Sequence, residues 1–319
     1  MAINSLFLND KLSYIRNNCY QSQLFKAIST GYNIYPIDLL PSKILAAKKL
    51  FTNIDKYDQI ISVVRLRNLK KYLPSIQNFA RNIPFVIYDQ DPWENYIDSS
   101  PLKGTYNLLK ENLNIKKIYV TSPFWAKKLN VDGLPAEFVR MGVLPSNCEY
   151  GPNFENRKYH TEYCGFLHEH RLKALETLKN IGINVQIRKK FKTYGGYLNY
   201  LNNLKIFIYD ESTSPLICNG EEISRSTFGW IKPVEIAARG TFCIKDFHKE
   251  CEGYNISKFN LIRTYKSLDE VPEIINEIES IRPNLRRIMQ KENVDLIREQ
   301  YDWFNTAHTL VTGHNNLDY

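Results

Sequence analysis

Short runs of β-branched and aromatic residues alternate along this chain with longer amphipathic stretches. The alternation breaks once and then restarts. The spacing predicts strands over residues 3–8, 33–39, 57–64, 85–88, 118–121 and 137–139. In the third of these, Ile60, Ile61, Val63 and Val64 form a nearly continuous apolar run, the mark of a strand buried on both faces. Helical spacing fills residues 20–30, with Gly31 placed as a C-terminal cap, and residues 105–113. Doubly buried strands separated by helices require a parallel sheet covered on both faces, so the first half is a doubly wound α/β domain. No G-x-G-x-x-G follows the first strand, so the dinucleotide fingerprint is missing.

Residues 145–160 hold Pro145, Gly151, Pro152 and several asparagines without periodicity, and are expected to form an interdomain linker. Beyond them strands are expected at 160–165, 185–188, 205–209, 241–244 and 261–264. Helices are expected at 169–181, 197–203, 233–238 and 268–281, and the tail over 282–311 is strongly helical. A chain of 319 residues exceeds the usual size of one core. The expected division is residues 1–150 and residues 151–319, each a Rossmann-like α/β domain.

Composition narrows the function classes. The net charge is +8, which favours anionic partners, yet Lys and Arg are scattered, as solubility charge would be. The densest cluster is Arg188-Lys189-Lys190 with Lys192. The cysteines Cys19, Cys148, Cys164, Cys218, Cys243 and Cys251 contain no C-x-x-C pair, which argues against a zinc site. The first ten residues lack the basic start and apolar core of a signal peptide, and no run of eighteen apolar residues occurs. The expected setting is therefore cytoplasmic, in a bacterium or a phage-infected host, with reduced thiols.

Four segments carry residues suited to chemistry. In Lys232–Asp246 a helix is expected to open at Pro233, with Glu235 in its first turn, Gly240 closing it and an apolar strand following. Ordinary capping would explain that pattern by itself. In Tyr163–Arg171 a strand ends at Gly165, and Arg171 opens the next helix behind a loop that holds His168 and His170. Histidines in such a loop are more often merely exposed than ligands, and no third metal ligand has suitable spacing. Ser224–Gly229 supplies the hydroxyls of Ser226 and Thr227 beside Arg225, and a plain polar loop explains it equally well. In Tyr88–Tyr96, Asp89 and Asp91 follow a buried strand, with Trp93, Glu94 and Tyr96 close behind. Ligands of open α/β sheets bind past the carboxyl ends of strands, where a carboxylate can serve as general base and aromatics can stack on a sugar or base. An Asx turn before Pro92 is the bland alternative.

The first of these segments resembles the sugar-nucleotide signature of GT-B glycosyltransferases. That resemblance implies two Rossmann-like domains facing a cleft and transfer of a sugar from a nucleotide-diphospho donor, a UDP-sugar being favoured. It implies that Glu235 holds the ribose hydroxyls and Lys232 the diphosphate, joined by Arg171, Gly165, Arg225, Ser226 and Thr227. The second domain looks like the spore-maturation-type glycosyltransferases, whose C-terminal pattern His308-Thr309 also fits. The order of elements resembles the phage DNA β-glucosyltransferases, with echoes at Leu24–Ser29, Asp89, Arg171 and the Lys232/Glu235 pair. In that phage family the matching Asp is the catalytic base, which implies Asp89, with Asp91 as the neighbouring candidate. The departure is a phosphate loop with one arginine where that family has two.

These resemblances imply a nucleotide sugar as donor, with no required cofactor, since Lys232 and Arg171 can offset the leaving diphosphate; a divalent cation is the auxiliary option. The acceptor is a hydroxyl of a glycan or glycolipid, which fits peripheral contact with an anionic membrane, or a hydroxylated base in duplex DNA. Trp93, Glu94 and Tyr96 are the expected acceptor contacts. Outside transferases, the competing readings are a non-catalytic two-domain sugar-binding protein and a nucleotide-sugar epimerase of similar fold. The missing signal peptide argues against the first, and the lack of further acidic and His residues against the second.

Overall fold

The structure is a computed structural model that describes residues 3–10, 20–38, 54–165, 167, 169–188, 191–209, 216–223, 231–247 and 256–315. The described residues divide into two compact units. The first holds those up to Arg140 together with Leu216–Ile223 and those from Trp303 onward; the second holds the rest, between Met141 and Asp302.

Unit 1 is built on six parallel strands: β1 (Asn4–Asn9), β2 (Asn33–Asp38), β3 (Gln59–Ser62), β4 (Phe85–Asp89), β5 (Ile115–Val120) and β6 (Ala136–Phe138). Their order is β2-β1-β3-β4-β5-β6. Every residue of β3 and β4 is buried, as the unbroken apolar runs require of central parallel strands. Helices Tyr20–Gly31, Leu66–Ala80, Thr105–Asn112 and Pro123–Val131 connect or cover them. Gly31 is the last helical residue and has no positive φ, so the cap expected there is not formed; Tyr32 N donates to Ile28 O at 2.9 Å and the chain runs straight into β2.

Two distant segments complete unit 1. Helix Trp303–Thr312 packs on helix Tyr20–Gly31 through Trp303 Nε1 to Gln23 Oε1 (3.1 Å), while the Tyr32 hydroxyl meets His308 Nδ1 at 2.6 Å. Strands β10 (Leu216–Cys218) and β11 (Glu221–Ile223) form an antiparallel hairpin. Its turn, Asn219-Gly220, takes φ of 53° and 78°, the left-handed pair that twisted two-residue hairpins demand. Asp98 accepts from both turn amides, at 3.2 and 2.9 Å, and from Lys103.

Unit 2 contains β7 (Tyr159–Cys164), β8 (Gln186–Arg188), β9 (Leu204–Tyr209), β12 (Phe242–Asp246) and β13 (Ile262–Tyr265), all parallel, in the order β13-β12-β9-β7-β8. Helices Glu169–Asn180, Tyr194–Asn202, Ile231–Ala237, Val271–Ser280 and Pro283–Gln300 belong to it. The helix expected to open at Pro233 begins two residues earlier, at Ile231. At its other end Gly240 has φ of +67°, and a Cβ there would lie 2.5 Å from Tyr150 O, so only glycine fits. The buried Arg157 guanidinium binds this region together. It donates to the carbonyls of Pro152, Leu201, Leu204, Tyr150 and Arg239 and to Thr241 Oγ1, at 2.8–3.3 Å.

Candidate functional site

Counted within each unit, both sheets share one order: the second strand, then the first, third, fourth and fifth. The direction of winding reverses between first and third strands, and it is at the carboxyl ends of such a switch point that open α/β sheets bind ligands. In unit 2 this switch point lies between β7, ending at Cys164-Gly165, and β9, ending at Tyr209. In unit 1 it lies between β1, ending at Asn9-Asp10, and β3, with Asp89 at the end of the adjacent β4.

At the unit 2 edge, Glu235 is 7% exposed. Its Oε1 accepts from the Tyr194 hydroxyl, and its Oε2 lies 4.0 Å from Lys232 Nζ, one turn earlier on the same helix. Lys232 sits over the Tyr197 ring at 4.4 Å. Burial raises the Cys164 thiol pKa, and the positive charges of Lys232 and Arg188 oppose that rise. Gly165 has φ of +155°, and a Cβ there would lie 2.8 Å from the Tyr163 hydroxyl. Arg171, in the first turn of helix Glu169–Asn180, has its guanidinium 5.9 Å from the Tyr163 ring and 5.6 Å from Tyr209. The structure therefore brings Glu235 and Lys232 together and sets Arg171 and Gly165 at the same strand edge. Arg225, Ser226, Thr227 and His168 lie outside the described residues.

Three residues at this edge went unread in the sequence. Tyr194 reaches Glu235 across 41 positions of sequence, a contact no local pattern encodes. Tyr209 ends β9 and takes a cation on its ring from each side of the sequence, Arg171 and, at 5.4 Å, Lys245. Lys245 is fully buried in β12, 3.1 Å from Asp246 Oδ1. Its signal was a lysine following the apolar run Phe242-Cys243-Ile244. Of the densest basic cluster, Arg188 binds buried Glu162 at 2.7 and 2.9 Å and lies 4.1 Å from the Tyr159 ring, so this arginine serves the unit's own packing.

At the unit 1 edge, Asp89 is 6% exposed. Its Oδ1 accepts from Asp91 N at 2.9 Å and its Oδ2 from the Tyr106 hydroxyl at 2.5 Å. Burial pushes its pKa up to about 7, the charge of Asp91 adds to the rise, and the two hydrogen bonds oppose it. A carboxyl poised at that value suits proton transfer at neutral pH. Asp91 is exposed, and Trp93 Nε1 lies 3.4 Å from its Oδ1. Glu94 is half-buried, its pKa raised by burial and then by Asp91. Tyr20 is drawn into the same group: burial raises its pKa, followed by the charges of Asp91, Tyr88, Asp89 and Asp10. Tyr96 is placed differently. It is 3% exposed, stacked on Trp125 at 5.2 Å, with its hydroxyl on Asp132 at 2.7 Å, which makes it part of the loop's support. Among the described residues no group of three or more His, Cys, Asp or Glu could hold a metal ion, and no helix is long and apolar enough to cross a membrane.

No protein-family model and no curated protein sequence matches the chain. Solved structures do. HepE of Anabaena, in complex with UDP and glucose, superposes with a TM-score of 0.60 over 99% of this chain and 100% of its own, at 11% identity. Sucrose-phosphate synthase from Thermosynechococcus elongatus gives 0.64 over 97% of each chain at 12% identity. AviGT4, a glycosyltransferase involved in avilamycin A biosynthesis, gives 0.57 over 98% of this chain and 99% of its own at 10% identity. Two Rossmann-like α/β units of this order, matched end to end by these structures, define the GT-B fold.

Proposed function

We propose that the protein is a glycosyltransferase that moves a sugar from a nucleotide-diphospho donor, UDP-sugar first, to a hydroxyl of a glycan or glycoconjugate. The observation that carries this reading is the Glu235–Lys232 pair at the carboxyl edge of the unit 2 sheet. A carboxylate there accepts the vicinal hydroxyls of a ribose, and the ammonium, with Arg171, offsets the charge of a leaving diphosphate. Structural neighbours support the donor class: HepE has been solved with UDP-glucose, and another match, described as trehalose-6-phosphate from E. coli, with UDP-2-fluoro glucose. Asp89 takes the proton of the acceptor hydroxyl as it attacks, and Trp93 and Glu94 contact the acceptor. Asp91, exposed two residues on, is the second candidate for the base.

The test of the donor reading is a thermal-shift panel with UDP-, GDP-, CMP- and dTDP-sugars. One donor at a hundredfold excess over its Kd is expected to stabilise the protein by about 2.7 kcal/mol. Glu235→Ala is expected to lose that shift, since hydrogen bonds to a charged group contribute roughly 1.5–3 kcal/mol. Equal shifts in both proteins would defeat the donor assignment. For the acceptor, duplex DNA carrying hydroxylated bases is the second reading, favoured by the net charge of +8 and the echo of the phage enzymes. Steeply salt-dependent duplex binding would move the assignment there.

A further inference from the structure

The helix Tyr194–Asn202 faces the Glu235–Lys232 pair with two tyrosines of its own. Tyr194 and Tyr197 are one turn apart, as are Lys232 and Glu235, so each pair projects from one face of its helix. The contacts match them in order: the Tyr194 hydroxyl donates to Glu235 Oε1, and the Tyr197 ring lies under Lys232 Nζ at 4.4 Å. The helix start is fixed by Thr193, whose hydroxyl accepts from Gly196 N at 3.1 Å. Tyr197 is 7% exposed and packs against Phe191 at 6.0 Å, so this face is anchored, whereas Tyr194 is half-exposed.

From this we infer that Tyr194 is a positioning residue for ribose recognition: its hydroxyl orients the Glu235 carboxylate so that the ribose 2′- and 3′-hydroxyls of a nucleoside diphosphate meet acceptors already in place. A carboxylate free to rotate would have to be ordered at each binding event, and that ordering opposes affinity. The Tyr194 bond, with Lys232 on the other oxygen, does the ordering beforehand. Each carboxylate oxygen has two acceptor positions, so occupancy of one on Oε1 leaves room for a sugar hydroxyl. Tyr197 contributes by holding the Lys232 ammonium back from collapsing fully onto Glu235, at the 4.0 Å observed.

The inference rests on the donor reading, and calorimetry with ribose analogues separates the two. The probes are UDP, GDP, CDP and ADP, each alongside its 2′-deoxy form, titrated into the full chain, Tyr194→Phe and Glu235→Gln. The parent is expected to favour the ribose form of one nucleotide at least about tenfold. Tyr194→Phe removes one hydrogen bond to the buried Glu235 carboxylate; its unliganded melting temperature should fall by several degrees while the chain stays folded. Its preference for ribose should fall to about threefold or less, and Glu235→Gln should abolish the preference. If Tyr194→Phe keeps the tenfold preference while Glu235→Gln loses it, the positioning role is overturned and the donor site stands. If Glu235→Gln also keeps it, or the parent binds none of the four nucleotides, the donor reading fails and takes this inference with it. A merely structural Tyr194 would weaken both forms equally and leave their ratio unchanged, which also overturns the inference.

Discussion

Asp89→Asn is expected to make the protein more stable at pH 8 and slower in turnover by at least about 100-fold. Both effects come from one buried carboxyl. Its pKa in the folded chain is about 7, against about 3.9 when unfolded. The folded state therefore holds the proton more tightly than the unfolded one. The stability this confers is fully present below about pH 4 and is lost as pH rises through about 7, roughly 4 kcal/mol in all. Asparagine has no charge to bury. Its amide can still accept from Asp91 N and pair with the Tyr106 hydroxyl, so the variant should not show this decline. Denaturant unfolding of both proteins at pH 5 and pH 8 measures it; parallel curves would refute the assignment. The turnover loss follows from the proposed role, since a positioned base contributes typically 10²–10⁴-fold. If Asp91→Asn is the slow variant and Asp89→Asn retains normal turnover, the base is Asp91.

Arg157→Leu is expected to destabilise unit 2 by about 4 kcal/mol. The side chain is 4% exposed and serves five main-chain carbonyls and the Thr241 hydroxyl. Leucine fills much of the volume but donates nothing; Leu201 O keeps the Thr241 hydroxyl and Tyr150 O keeps Arg287, while the acceptors left unpaired cost about 1–3 kcal/mol for each that water does not reach. Arg157→Lys should recover little, because a compact ammonium has three donors and cannot span the same set. The unfolding free energy from denaturant titration decides it, and a loss below about 1 kcal/mol would show that the carbonyls find other partners.

Strand positions were legible in the sequence because doubly buried parallel strands must be apolar throughout. Phe85–Asp89 and Leu204–Tyr209 fall within a residue of where the apolar runs put them. The hairpin Leu216–Ile223 was not foreseen: its strands have three residues each, too short for period-two alternation, although Asn219-Gly220 spelled the turn. For the site, Glu235 with Lys232 was legible because one turn of helix fixes their proximity. Their partners Tyr194 and Tyr197 were not, because register between two helices is a tertiary fact. Tyr96 read as an acceptor contact, since nothing in its neighbourhood of sequence announces Trp125. The raised pKa of Asp89 likewise comes from burial first and the charge of Asp91 next, against the hydrogen bond from Tyr106, seventeen residues away.

The assignment of Leu216–Ile223 and of Trp303 onward to unit 1 has a consequence for biosynthesis. The amino-terminal sheet is translated first, but helix Trp303–Thr312 covers Gln23, Tyr32 and Gln59, so its packing waits until residue 312 has left the ribosome. Unit 2 has its last strand by Tyr265 and its last helix by Gln300. The half that is made second is thus able to finish folding first, and a released chain truncated after Asp302 should carry a protease-resistant second unit beside a first unit that is still being cut.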